Sequence, residues 1–532
     1  RLFAAKTARS ISEIQQSVNN MADVMVFLEV LGYDERTAKK NGYAGMQELA
    51  EHIYEFVDVY DGNKGPGISV EPVPSRGERL AESLSMIFPW MGSLILLFVT
   101  GVSLWMAWGL PTDITTMFLA GVFLGLFLTE GLLQNFHRLF SFYYSQTNIG
   151  EVKRSITRTY VLAGTILCSA VAGIFGLGAL TGIPFELAAI ASTSMVTISL
   201  HRLSYVILYA LKKVLHITVS YIGAFAVLLA VFFLLPGFIP DVTVRYFVGL
   251  GTAFAVLSSF AMYHHYKIIG QSSTAIVAQG APHFYSPLTV NDNTIASRFG
   301  VQLWECMPFF LYGTFYFVIL FADRIISWFF NPAATTTANA VILPLSFNSV
   351  YHIGADLALL IVLPAAIIQY VIASPIYLLV RNRAVNLKVF ESGKIDLFLR
   401  YSYRRLLLAT VVVSISGAIS LNLAAPVLIR ELGGTAASLW ILNYASAGAV
   451  FLSVYAANAV FLIFLNRVKA LSLTSLASAL VVTAGGFVLA TQGFENIVLA
   501  YLAGTILAAT GTSVILAGTL KNAGSRLFAR YI

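Results

Sequence analysis

Residues 309–330, FFLYGTFYFVILFADRIISWFF, form an apolar run long enough to cross a bilayer, yet near its end stand two adjacent full charges, Asp323 and Arg324. Neighbours on a helix point about 100° apart, which predicts that the two do not neutralise each other and that each needs another partner or water. Glu305 precedes Asp323 by five helical turns, which returns it to the same face at a separation of roughly 27 Å. Phe309, Tyr312 and Tyr316 lie close to the line joining the two acids, so an acid, three rings and a second acid form a column. Aromatic rings beside acceptor groups suit sugars, which present C–H faces and hydroxyls, while carboxylates suit cations and amino sugars. The alternative is that Glu305 and Asp323 mark the two membrane surfaces and the tyrosines an interfacial belt.

An ionisable side chain at mid-membrane costs at least about 2.5 kcal/mol, so it normally faces a bundle interior or a wet cavity. Several apolar segments carry such faces. Glu130, Gln134 and His137 fall on one side of the second segment, with Arg138 marking its inner surface. Ser194, Thr197 and His201 share a face of the fourth, above Arg202, although Ser and Thr often only bond the preceding turn of their own helix. The eighth opens with His352 and Asp356 one turn apart, continues along that face with Tyr370 and Ser374, and contains Pro364, a predicted kink. Asp356 is within reach of Arg324 across the short distance between the ends of segments seven and eight, which leaves Asp323 facing the interior and Arg324 anchoring the outer mouth. The tenth segment adds Tyr444, Tyr455 and Asn458. His264 and His265 diverge on their helix with no carboxylate at ligand spacing, so they read as interfacial and not as a metal site.

These segments belong to a polytopic, all-α membrane protein. Of 532 residues, 58% are hydrophobic and 11% charged, and the mean hydropathy is +0.78, whereas soluble domains are about a quarter charged. Twelve apolar stretches are each sufficient for roughly 30 Å of hydrocarbon. They cover about 83–108, 114–138, 157–181, 186–210, 215–236, 244–267, 303–326, 353–380, 404–427, 437–465, 470–491 and 496–519. With the amino terminus in the cytoplasm, the inner connections and carboxyl tail hold 21 Lys or Arg and the outer ones three, Arg245, Arg324 and Arg430. Both termini are then cytoplasmic and the membrane is a cytoplasmic (inner) one. The formal charge of +7 is sorted by side, and no nucleic acid is expected.

The longest break, the polar stretch 269–302, divides the membrane part into a first lobe, 82–268, and a second, 303–532, related as parallel repeats. Residues 1–81 differ in composition, with nine basic against twelve acidic residues and short amphipathic helices over 10–30, DERTAKK and MQELAEHIYEFVDVY; they predict a small cytoplasmic helical domain and tether. The connection RNRAVNLKVFESGKIDLFLRYSYRR interleaves Arg381, Arg383, Lys388, Lys394 and Arg400 with apolar residues, as does an amphipathic helix on an anionic leaflet or a docking site for a partner. Two cysteines, Cys168 and Cys306, make no disulfide framework or cysteine-rich metal site. Walker A, dinucleotide and HExxH sequences do not occur, so no cofactor, metal or catalytic residue is expected. An embedded glycosyltransferase would need acidic motifs on a sizeable outer connection, and the largest, 325–352, is essentially uncharged there.

Two six-helix halves with polar groups in the first spans of the second half resemble the multidrug, oligosaccharidyl-lipid and polysaccharide exporter superfamily. Within it, YGTFYFVILFADRIISW and YHIGADLALLIVLPAAIIQYVIASP are most similar to PelG-type exopolysaccharide exporters, through Asp323, Arg324, Trp328, Asp356 and Pro364. The resemblance implies a MATE-like alternating-access transporter that moves a glycan outward beside a cytoplasmic glycosyltransferase and other synthase-complex subunits. Glu130, Asp323 and Asp356 become candidates for an ion-coupling group. A lipid-linked oligosaccharide flippase and a cation-coupled multidrug antiporter are the alternatives.

Overall fold

The computed structural model describes residues 7–8, 24–25, 28, 33–61, 74–107, 109–145, 149–211, 213–269, 299–332, 345–386 and 392–524. They form two compact units. In the smaller, α1 (Glu35–Lys40) starts at Asp34, whose carboxylate accepts the Thr37 amide at 2.8 Å and the Thr37 hydroxyl at 2.7 Å. Those two bonds, reinforced by Arg36, hold the Asp34 carboxyl below the usual carboxylate range. Helix α2 (Met46–Asp61) follows, and Ala8, Val24, Leu28, Ala38, Leu49, Ala50 and Ile53 share a buried core. Most of the helix expected over 10–30 lies outside the described residues.

The larger unit is a bundle of long helices: α3 (Arg76–Thr100), α4 (Thr112–Ser145), α5 (Ile149–Thr181), α6 (Phe185–Ala210), α7 (Val214–Leu234), α8 (Val242–Ile269), α9 (Phe299–Phe329), α10 (Ser349–Ala358), α11 (Val362–Asn386), α12 (Ser392–Glu431), α13 (Ala436–Phe464), α14 (Val468–Ala490) and α15 (Ile497–Thr519). Among the described residues, eleven segments are long and apolar enough to cross a membrane, α10 and α11 counting as one. Helix α6 occupies the place of the expected fourth span and is not one of those eleven; its Ser192, Ser194, Ser199, His201 and Ser204 are turned into the protein and buried.

Two expectations are corrected. The first span does not reach residue 108: Gly101, at φ 75°, closes α3 in a left-handed conformation that glycine adopts without strain. The Ser103 hydroxyl then accepts the amides of Trp105 and Met106, both at 3.1 Å, folding the next residues into a loop. At the other end α3 begins at Arg76, where Ser75 and Glu78 form a capping box. The connection before the ninth span is not a separate surface helix from residue 392 onward: it is continuous with α12, which is 40 residues long. The kink expected at Pro364 is a 3-10 turn at Leu359–Ile361 between α10 and α11, one turn ahead of the proline, where its missing N–H and its ring disturb the ladder.

Packing sorts the helices into two groups. In the first half α7 packs on α3 and α8, and α6 on α5 and α8; in the second, α15 packs on α13 and α14, and α12 on α11 and α13. The halves meet where α3 packs on α11 and where α4 lies along α9. The second contact runs from the Thr116 hydroxyl, which accepts the Phe347 amide at 2.8 Å, through Phe123 stacked on Phe321 at 4.8 Å, to Arg138 over the Phe309 ring at 4.3 Å. At its centre Gly131 and Gly313 allow backbones to touch: a Cβ on Gly131 would stand 2.6 Å from the Phe310 carbonyl oxygen. Gly131→Leu is therefore expected to force the helices apart and lower the melting temperature by roughly 5 °C or more, measured in detergent; unchanged melting would mean that this crossing does not hold the halves together.

Candidate functional site

The seventh and eighth spans bring together Asp323, Arg324 and Trp328 from α9 with Tyr351, His352 and Asp356 from α10. Arg324 is at the centre and is 1% exposed. Its Nε donates to Asp356 Oδ1 at 2.7 Å, its Nη1 to the Leu320 carbonyl at 2.8 Å and to Asp323 Oδ1 at 3.0 Å, and its Nη2 to the Ala355 carbonyl at 2.8 Å. The pairing with Asp356 forms as the sequence suggests. The expectation that Asp323 and Arg324 ignore each other does not hold: Cβ vectors diverge, but the guanidinium stem is long enough to curl back onto the neighbouring carboxylate. All three nitrogens of Arg324 are engaged inside the protein.

Asp323, 1% exposed, is closed off on its second oxygen by the Tyr351 hydroxyl, which donates at 2.9 Å. Asp356 differs. Its side chain keeps 34% of its surface accessible while Arg324 and His352, which hold it, keep 1% and 6%. Of the two acids, Asp356 is the more accessible.

The protonation of His352 follows from its partners. Indole N–H is a donor only, so Trp328 Nε1, at 2.9 Å from His352 Nε2, makes that nitrogen an acceptor. Nδ1 then carries the ring proton and donates it to Asp356 Oδ2 at 2.9 Å. The imidazole is neutral in this arrangement, and the cluster of two carboxylates and one guanidinium carries one net negative charge. Buried charge is costly unless paired, so a single cation bound at Asp356 brings the cluster to neutrality.

A second charged group lies between α4, α6 and α9. Glu130 is buried, accepts from Gln134 Nε2 at 2.8 Å, and pairs with Arg202 Nη2. Arg202 also stands over the Phe317 ring at 4.9 Å. Arg202 was expected in an inner connection; its place is inside the helix interface, as the partner that buried Glu130 requires. Near this pair Tyr312 and Tyr316 retain partial accessibility, and Tyr316 stacks on Tyr455 at 6.2 Å.

The remaining candidates scatter. Glu305 and His137 are exposed, so with Asp323 sealed the column of acids and rings does not run unbroken along α9. His201 is buried against Tyr205 and Phe254 and bonds Tyr221 at 2.8 Å. Asn458 is buried among Tyr403, Ala509, Thr512 and Ser513. Tyr444 packs on Trp440, and Tyr370 bonds Glu82. Arg400 donates to the carbonyls of Leu520 and Lys521, at 3.0 and 2.8 Å, beside the last turn of the chain's described part. Lys394 is exposed; the side chains of Arg381 and Arg383, and Lys388 entirely, lie outside the described residues. Sequence reasoning missed Tyr351 as a ligand of Asp323, since it belongs to no polar spacing pattern. It found Trp328 without its role, although Trp328 and Arg324, like His352 and Asp356, are one turn apart.

No family model matches the sequence, and no curated protein does either. Solved structures do match. A MATE transporter in complex with MaL6 superposes with a TM-score of 0.57 at 12% identity, covering 86% of this chain and 99% of its own. The fold is that of a MATE transporter. An outward-facing multidrug resistance MATE transporter of the MOP superfamily aligns with a TM-score of 0.54 at 13% identity, over 86% of this chain and 99% of that one. A eukaryotic MATE transporter aligns with a TM-score of 0.50 at 11% identity, over 86% and 97%. In this chain the two groups of helices meet where α4 lies along α9 and where α3 packs on α11. The Arg324 cluster lies wholly on α9 and α10, while Glu130 and Arg202 stand on α4 and α6.

Proposed function

We propose that this protein is a cation-coupled exporter of an exopolysaccharide, working by alternating access in the cytoplasmic membrane with both termini in the cytoplasm. The observation that carries the coupling is the charge of the second-lobe cluster: two carboxylates and one guanidinium, with a neutral His352 and a single reachable acid, Asp356. Binding one cation there removes the last net charge from a low-dielectric site, and its release restores that charge, so occupancy biases which lobe arrangement is favoured. Tyr312 and Tyr316, partly accessible beside Glu130, offer ring faces and hydroxyls suited to sugar, and the Asp323-Arg324, Trp328, Asp356 and Pro364 pattern resembles PelG-type exporters. A cytoplasmic glycosyltransferase would deliver the polymer, and helices α1 and α2 of the smaller unit are the candidate surface for it to engage.

Multidrug antiport is the second reading, favoured because the structural neighbours include a multidrug resistance transporter. Deleting the gene in its source organism separates the two. Exopolysaccharide export predicts loss of secreted polymer with unchanged resistance to ethidium and similar cations; drug antiport predicts the reverse and would overturn the proposal.

A further inference from the structure

Away from both charged groups, a groove of about 570 Å³ opens on the surface between α7 and α8, lined by His216, Ala255, Val256, Ser259, Phe260, Tyr263 and His264. Its surroundings include Leu215, Val219 and Met262, 71%, 51% and 56% exposed, side chains that in a membrane protein face acyl chains. At the basic end of the groove the chemistry changes. The His216 and His264 rings meet edge to face at 4.9 Å. His264 is 6% exposed, yet its Nε2 has no hydrogen-bond partner, and the residue lines the groove. The ionisable groups that act on it are His216, Lys213, Lys267 and His265, all bases. Neither α7 nor α8 contains an acid.

We propose that this groove binds an anionic phospholipid of the leaflet at the basic end. Lys213, just before α7, and Lys267, in the last turn of α8, are exposed at adjoining helix ends, where a phosphodiester would accept from their ammonium groups. His264, one turn deeper, donates through the otherwise unpartnered Nε2–H. The acyl chain then lies along Ala255, Val256 and Phe260, which extend about 14 Å down α8 from His264. A free anion would use the bases but leave the apolar groove open, and a neutral lipid would fill the groove but leave Lys213, Lys267 and His264 unanswered.

The test uses the purified full chain in detergent, supplied with phosphatidylglycerol, phosphatidylcholine or inorganic phosphate, and reads bound lipid by native mass spectrometry together with the melting temperature. Phosphatidylglycerol is expected to be retained and to raise melting by roughly 5 °C. Lys213→Gln with Lys267→Gln, both exposed positions that tolerate change, should remove most of that shift, and so should His264→Gln. Lys469→Gln, an exposed lysine on α14 away from the groove, should keep it. An equal shift with phosphatidylcholine, the full shift with phosphate alone, or an equal loss in Lys469→Gln would each overturn the assignment.

Discussion

Asp356→Asn is expected to abolish coupled transport, by at least about 100-fold or roughly 2.7 kcal/mol, while the protein still folds and inserts. The amide keeps an oxygen to accept from Arg324 Nε, its nitrogen forfeits the bond from His352 Nδ1–H, and Arg324 retains Asp323 and the Leu320 and Ala355 carbonyls. The cluster of Asp323 and Arg324 is then already neutral, so a cation gains nothing by binding there. Transport is read in vesicles energised by an ion gradient and as secreted polymer in cells, with the melting temperature as the control for folding. Wild-type export by a well-folded Asp356→Asn protein would remove this carboxylate from the mechanism.

Arg324→Met should do the opposite, damaging the fold first. It leaves Asp323, 1% exposed, with only the Tyr351 hydroxyl, and Asp356 with only a neutral imidazole. Breaking a buried pair by removing one partner typically costs about 3–5 kcal/mol, which should appear as a large drop in melting temperature or as aggregation on size exclusion. Adding Asp323→Asn to Arg324→Met removes one of the stranded charges and should recover part of the loss, a positive coupling between neighbours in one network. A double variant no more stable than the single one would mean that Asp323 does not depend on Arg324.

The Arg324 network also marks the limit of reading from spacing alone. Helical periodicity placed His352 and Asp356 on one face and brought Arg324 within reach of them, because those relations are set by the 100° step of a helix and by a short connection. It failed for Asp323 and Arg324, since a long side chain can turn through more than the angle between two Cβ vectors. Arg202 was misplaced for a related reason: a charge near a helix end looks interfacial until its partner on another helix, Glu130, is known. Arg400, grouped with surface bases by composition, also holds the carbonyl groups of the chain's last described turn, partners some 120 residues away in sequence that spacing does not show.

The sequence by itself determined a multi-span helical protein with a separate amino-terminal segment, the near-complete set of spans, and the identity of the polar side chains inside them. Burial of apolar surface and the intolerance of hydrocarbon for unpaired backbone groups leave little freedom in those matters. Only the tertiary structure decided which acid is sealed and which is reachable, which nitrogen of His352 carries the proton, and where the lobes touch. Those outcomes depend on distances of a few ångströms between helices remote in sequence, and on glycines such as Gly131 whose role exists only once a second backbone lies against them.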